Sequence, residues 1–267
     1  MRLSDFNAVM VNTSGGKDSQ TSMRAIARMA KEEKYPTSRI IAAHAAFPEE
    51  WPGAMQLAER HSAHYGITFQ VEGYRNKDGE SKTLLDYVRL RQKWPSSAVR
   101  YCTSEFKRAP CGRVLTAIHR RFANGGRTKI LNIFGFRAEE SPSRAKRKPL
   151  AKNTRYSTKS REVWDWLPIH EWKEQEVWDD IEASGVSHHR AYDLGMPRLS
   201  CPFCIFAPRA ALMIAGKEFP ELLDQYVAVE NETGHKFRQN LAIADIRQAL
   251  RDGEEIDAAN LNGNWNM

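Results

Sequence analysis

Between a short apolar run, Ala8-Val-Met-Val11, and a helical stretch that begins at Asp18 lies the segment Ser14-Gly-Gly-Lys-Asp-Ser19. Adjacent glycines let a backbone turn tightly and aim its amide N–H groups at an anion. A helix starting at the same point adds the positive end of its dipole. Ser14 and Ser19 can donate hydroxyl hydrogen bonds, Lys17 supplies a point charge, and Asp18 beside a phosphate can help hold Mg²⁺. A Walker A loop is not the match, because Asn12 stands near the place where that loop needs glycine. The plainer alternative is an ordinary glycine turn with a serine N-cap.

A second cluster, Gly135-Phe-Arg-Ala-Glu-Glu-Ser141 followed by Arg144, comes directly after the apolar run Ile130-Leu-Asn-Ile-Phe134. Arg137 and Arg144 at a strand end can clamp phosphate or sulfate oxygens with bidentate forks, and Glu140 could orient one of them or a metal. Cys102 and Cys111, with the C-x-x-C pair Cys201 and Cys204, supply four thiols. Those suffice for tetrahedral Zn²⁺ or a [4Fe–4S] cluster, with a redox dithiol or plain buried cysteines as alternatives. His44 ends an apolar run and could touch adenine, whereas His61, His64, His188 and His189 have no acid at metal spacing and read as surface or core residues.

The elements that must position these groups follow from periodicity. Apolar runs at 8–11, 40–43, 67–71 and 130–134 read as strands, and the stretches at 18–33 and 53–65 as helices. Strands alternating with helices of 10–15 residues predict an α/β fold: a parallel sheet with helices on both faces. Ligands in such sheets bind at the carboxyl ends of the strands, where both clusters fall. From about residue 171 the pattern is mostly helical, clearest at 172–181 and 219–232. The division expected is residues 1–165 as the nucleotide-binding domain and 166–267 as a helical C-terminal addition carrying the C-x-x-C pair.

Composition bounds the class. The 267 residues are 41% hydrophobic, a globular level that excludes a disordered, collagen-like or coiled-coil chain. No stretch approaches 18 uncharged apolar residues, and residues 1–10 lack a signal peptide's apolar run, so a cytoplasmic protein without membrane partners is expected. Lys+Arg 40 against Asp+Glu 33 leaves +7, which suits an anionic partner such as nucleic acid or a nucleotide, or merely a soluble surface. Residues 144–161 hold eight Lys/Arg and no acid. They read as a flexible basic loop able to follow a nucleic-acid backbone with Tyr156 for stacking, to close over a nucleotide as a lid, or simply to remain solvated.

Residues 14–19 resemble the SGGKDS signature of the PP-loop ATP pyrophosphatases, which bind the pyrophosphate end of ATP and cut at the α-phosphate. Gly135, Arg137, Glu140, Ser141 and Arg144 resemble the G-x-R-x-x-E-S-x-x-R stretch of the branch similar to phosphoadenosine phosphosulfate (PAPS) reductases. The segments 166–172, 177–181, 191–195 and 200–204 resemble the same branch. The resemblance implies a PP-loop, adenine nucleotide α-hydrolase-like fold. Its cofactors would be ATP and Mg²⁺, held by Ser14, Gly15, Gly16, Lys17, Asp18, Ser19, His44 and Gly135, with Lys17, Asp18, Arg137 and Arg144 catalytic. PAPS reductases use a cysteine near the C-terminus, whereas the last cysteine here is Cys204. Reduction is therefore placed behind adenylation of a substrate for sulfur transfer. The cysteine spacing is similar to that of the DNA phosphorothioation ATP pyrophosphatases, which ranks a [4Fe–4S] cluster on Cys102, Cys111, Cys201 and Cys204 above Zn²⁺. It also implies a nucleic-acid substrate, DNA before tRNA, and a sulfur-donor protein such as a cysteine desulfurase. A PAPS or adenylyl-sulfate reductase-like enzyme and a non-catalytic nucleotide- or nucleic-acid-binding protein are the competing expectations.

Overall fold

Strands and helices alternate through the first half of the chain as the apolar spacing predicts. In a computed structural model that describes residues 1–262, they run β1 (Ala8–Thr13), α1 (Lys17–Glu32), β2 (Ile40–Ala46), α2 (Ala54–His64) and β3 (Thr68–Gly73). Next come α3 (Leu84–Arg91), α4 (Tyr101–Thr103), α5 (Ala109–Phe122), β4 (Thr128–Ile133) and α6 (Pro142–Ala145). The order closes with β5 (Leu150–Lys152), β6 (Arg161–Trp166), α7 (Glu174–Ser184), α8 (Arg209–Glu218), α9 (Pro220–Thr233) and α10 (Ile243–Arg251). Part of the C-terminal tail cited above for its lack of cysteine, residues 263–267, lies outside the described residues.

The strand order is β3-β2-β1-β4-β6-β5. β1 pairs parallel with β2 and β4, and β4 parallel with β6. The sheet is parallel as expected except at its edge, where β5 runs antiparallel to β6 with Leu150 opposite Trp166. Backbone pairing is the reason: Pro149 C=O accepts the Leu167 N–H and Val163 C=O accepts the Asn153 N–H. The basic run is therefore not the flexible loop expected of it, since its middle is stitched to the sheet.

The chain divides into two compact units. The first comprises Met1–Ala46, Pro52–Glu72 and Arg108–His189. The expected boundary near 165 falls inside it, because β6 is a sheet strand and α7 follows it within the same unit. Alternation along β1 and β4 sends Val9, Val11, Leu131 and Ile133 to one face, against Met23 and Ile26 of α1. Ala8, Met10 and Ile130 go to the other, against Val114, Leu115 and Ile118 of α5. Each buried Val, Leu, Ile or Met side chain among them contributes about 1.5–3 kcal/mol. Ile169, Val177 and Ile181 form a smaller cluster with Trp172 and Trp178 against it.

The second unit comprises Phe47–Trp51, Gly73–Lys107 and Arg190–Met267. Trp94 stacks on Tyr226 at 5.5 Å, with Phe203 and Phe237 around the same ring. The buried Glu230 carboxylate accepts the backbone N–H groups of Phe237, Ile243 and Ala244 at 2.6, 2.9 and 3.0 Å, fixing the start of α10.

Candidate active site

β1 ends in the turn 14–16 and α1 begins at Lys17. The turn is held by its own serines. Ser19 Oγ donates to Gly16 C=O at 2.8 Å and accepts from the Ser14 N–H at 3.2 Å. Gly15 takes φ +73°, and a Cβ there would lie 2.4 Å from the Ala54 carbonyl oxygen, so only glycine fits. The first-turn amides of α1 have no acceptors within the helix, and the dipole's positive end points the same way.

The loop after β4 closes on this helix start. A Cβ on Gly135 would sit 2.5 Å from Asp18 O and 3.0 Å from Ser19 N. That approach carries Arg137, only 3% exposed, onto Asp18, its Nε donating to Oδ1 at 2.6 Å. Burial opposes the Arg137 charge, but the carboxylates of Asp18, Glu140 and Glu174, Asp18 foremost, together outweigh it and hold the pKa above the usual arginine value. Glu139 lies 3.5 Å from the same guanidinium. Lys17 is 2% exposed, its Nζ 3.2 Å from Glu174 and 4.0 Å from Asp18. Arg144 pairs with Glu140, whose carboxylate also accepts the Arg137 backbone N–H at 2.9 Å.

Ser14, Gly15, Gly16, Lys17, Asp18, Ser19, Gly135 and Arg137 thus converge. The guanidiniums of Arg137 and Arg144 both face carboxylates rather than an open clamp. His44 pairs in register with Thr13 at the carboxyl ends of β2 and β1; it is buried, with Nδ1 3.1 Å from Thr13 C=O. The Thr13 hydroxyl, at the lip of the turn, is buried and has no hydrogen-bond partner among the described residues. That orphaned hydroxyl, the helix start and the glycine cradle fit a polyphosphate. Asp18 fits the single carboxylate that Mg²⁺ needs when phosphates supply its other ligands.

The thiols are less assembled. Cys102, Cys201 and Cys204 belong to the second unit and Cys111 to the first. Burial pushes the Cys201 thiol up to about 12 and raises Cys204; Lys107, its Nζ 3.8 Å from Cys201 Sγ, pulls both down, while the Cys102 charge adds to the rise. Among the described residues no group of three or more His, Cys, Asp or Glu is placed to hold a metal ion. His61 and His189 bond the carbonyls of Ser187 and Pro52, and His188 packs on Trp178.

Two groups escaped sequence reasoning. A polar ladder crosses the sheet: Asn12 Nδ2 donates to Asn132 Oδ1 at 2.8 Å, Asn132 Nδ2 to Asp165 at 2.6 Å, and Asn153 Nδ2 to Asp165 at 2.8 Å. The polar Asn132 inside an apolar strand was the available signal. His170, 4% exposed, has Nε2 3.0 Å from Arg144 C=O and Nδ1 2.7 Å from Glu171, while its own carbonyl accepts the Ala138 N–H. Burial lowers its pKa, but these two bonds outweigh that and the net direction is upward.

Among the described residues no helix is long and apolar enough to cross a membrane. Two uncharacterized proteins of Methanocaldococcus jannaschii are relatives. One is 26% identical over 159 residues, 58% of this chain and 34% of its own length; the other is 24% identical over 195 residues, 69% and 38%. The chain therefore spans little more than a third of the curated relatives it matches. Among solved structures, the PAPS reductase of Candida auris in a phosphate complex has a TM-score of 0.47 at 16% identity, covering 72% of this chain and 80% of that one. The U34-tRNA thiolase NcsA of Methanococcus maripaludis, with its [4Fe–4S] cluster, has 0.43 at 17%, covering 94% and 73%. Residues 8–207 match the profile of the phosphoadenosine phosphosulfate reductase domain, which takes in both the glycine turn and the C-x-x-C pair. On that match the chain belongs to the phosphoadenosine phosphosulfate reductase domain family.

Proposed function

We propose that this protein is an ATP pyrophosphatase that adenylates an acceptor to activate it for sulfur transfer. The observation that carries the reading is the convergence at the start of α1, where a glycine cradle, Lys17, Asp18 and Arg137 meet around one helix N-terminus. An acceptor oxygen attacks the α-phosphorus of ATP, the bond to the bridging oxygen breaks, and pyrophosphate leaves. A sulfur nucleophile then displaces AMP from the activated position.

Backbone amides of residues 14–19 bind the departing pyrophosphate, and Lys17 exchanges Glu174 for a phosphate oxygen. That exchange costs little, because Glu174 is 45% exposed and water replaces its partner. Arg137 stabilises charge building at the α-phosphate, and Mg²⁺ bound beside Asp18 would neutralise the polyphosphate. No side chain is assigned as general base, so the rate comes from positioning and electrostatics.

The favoured acceptor is nucleic acid, a DNA phosphate in phosphorothioation before a tRNA base, with a cysteine desulfurase as sulfur donor. Cys102, Cys201 and Cys204, with Cys111, would be the thiols for a [4Fe–4S] cluster or Zn²⁺; iron and zinc content of anaerobically purified protein tests this. The family match also favours a second reading, reduction of PAPS or adenylyl sulfate.

Pyrophosphate release from ATP, measured with and without DNA or tRNA, separates the readings. Release supports the pyrophosphatase, and thioredoxin-dependent sulfite production supports the reductase. Binding without either product identifies a passive binder. Lys17→Ala and Asp18→Ala are expected to lose about 10²–10³-fold in turnover. Full turnover in either variant contradicts the site.

A further inference from the structure

The basic run was expected to offer Tyr156 for stacking, but that ring turns inward. Its hydroxyl donates to Arg108 C=O at 2.8 Å, and its edge lies 3.0 Å from where a Gly112 Cβ would be. The aromatic surface beside the basic run is a different one. Phe134 and Phe136, both half-buried at the end of β4, stack at 5.1 Å with their planes 12° apart. The Arg144 guanidinium lies 4.5 Å from the centre of Phe136, and that of Arg147 lies 5.2 Å from it.

We propose that Phe134, Phe136, Arg144 and Arg147 form a stacking platform for an unpaired nucleobase, so that this protein engages a single-stranded or locally opened nucleic acid. Glu140 takes Arg144, whose side chain is only 18% exposed, so the exposed Arg147 guanidinium backed by Phe136 is the cationic surface that a base can reach. Guanidinium planes backed by aromatics suit the π-face of a base. A paired base keeps its faces inside the duplex, whereas an unpaired base can present one. Exposed Lys146 and Lys148 lie in sequence between the platform and the edge strand β5, and exposed Lys152 ends that strand, so together they can follow the phosphates on either side of a stacked base. An acidic peptide would satisfy the lysines but has no use for the stacked rings.

The inference rests on the proposed adenylation only for what happens after binding. Arg137, next to Phe136 in sequence, reaches Asp18 at the glycine turn, so the platform and the proposed reaction centre share the loop after β4. The acceptor oxygen would then belong to the unpaired base or its adjoining phosphate.

Fluorescence anisotropy without ATP tests the binding step. The probes are a labelled strand of about 12 nucleotides and its blunt duplex, at about 0.1 M salt. The parent protein should hold the single strand at least about tenfold tighter than the duplex. Phe136→Leu keeps apolar bulk but removes the π-face, and the exposed Arg147→Gln leaves the core alone. Each should lose roughly fivefold to hundredfold on the single strand with little change on the duplex. Thermal melting confirms that both variants are folded. Equal affinity for strand and duplex, or folded variants that bind like the parent, overturns the platform. Pyrophosphate release from ATP, measured with the duplex and with the single strand present, separates the two claims. A parent that releases pyrophosphate but ignores single strands overturns the platform alone. One that grips single strands but leaves ATP intact overturns the adenylation reading alone.

Discussion

Gly135→Ala is the sharpest perturbation of the site, because it adds one methyl group where three backbone atoms already stand. The new Cβ would meet Asp18 O at 2.5 Å, Asp18 C at 2.7 Å and Ser19 N at 3.0 Å. These atoms belong to the first turn of α1 and cannot rotate away as a side chain would. The β4 loop must therefore retreat by roughly 1 Å to reach ordinary contact distance. Overpacking of this kind costs about 1–3 kcal/mol of stability. The retreat also pulls Arg137 from Asp18, whose bond is 2.6 Å. A misplacement of about 1 Å at a reacting centre costs on the order of 10²-fold in rate. Urea unfolding and pyrophosphate release on the same preparation read both effects. Gly126→Ala is the control, since its nearest neighbour would be Ala123 O at 3.7 Å, and it should stay within about 1 kcal/mol of the parent. A Gly135→Ala protein as stable and as active as the control would refute the close-approach argument.

Glu230→Ala strips three backbone donors, two of them buried, of one carboxylate, and should lower unfolding free energy by at least about 2 kcal/mol in urea. A change below about 0.5 kcal/mol would contradict that role. His170 gives a pH signature. Folding raises its pKa, so its stabilisation is full below its unfolded value of about 6.5 and fades as pH rises through the higher folded value. The stability gap between the parent and His170→Gln should therefore shrink from pH 6 to pH 8. The comparison cancels His61, whose pKa burial lowers. A gap that is constant or widens with pH contradicts the assignment.

The glycine turn was legible because its chemistry is local: a buried strand, two glycines and a helix follow each other within about a dozen residues. The four apolar strands were legible for the same reason. β5 was not, since three residues carry no period and only pairing with β6 makes them a strand. β6, Arg-Glu-Val-Trp-Asp-Trp, hides its register behind polar residues whose partners, Asn132 and Asn153, lie far away in sequence. α5 was obscured by Pro110 and Gly112, which sit in its first turn, where proline is tolerated and where Gly112 makes room for Tyr156. At the site, sequence reading supplied the residues near α1 but not their pairing. That Arg137 meets Asp18, and Lys17 meets Glu174, depends on loops brought together by the sheet order. The cysteines show the limit most clearly, because spacing alone could not say that Cys111 belongs to a different unit from the other three.

The central claim is that the start of α1 grips a nucleoside triphosphate. A crystal structure with Mg²⁺ and a non-hydrolysable ATP analogue tests it directly. Phosphate oxygens are expected within hydrogen-bond distance of the backbone amides of residues 14–19, with Lys17 Nζ turned from Glu174 toward them. Nucleotide bound elsewhere, with those amides facing only water and Lys17 still on Glu174, would contradict it.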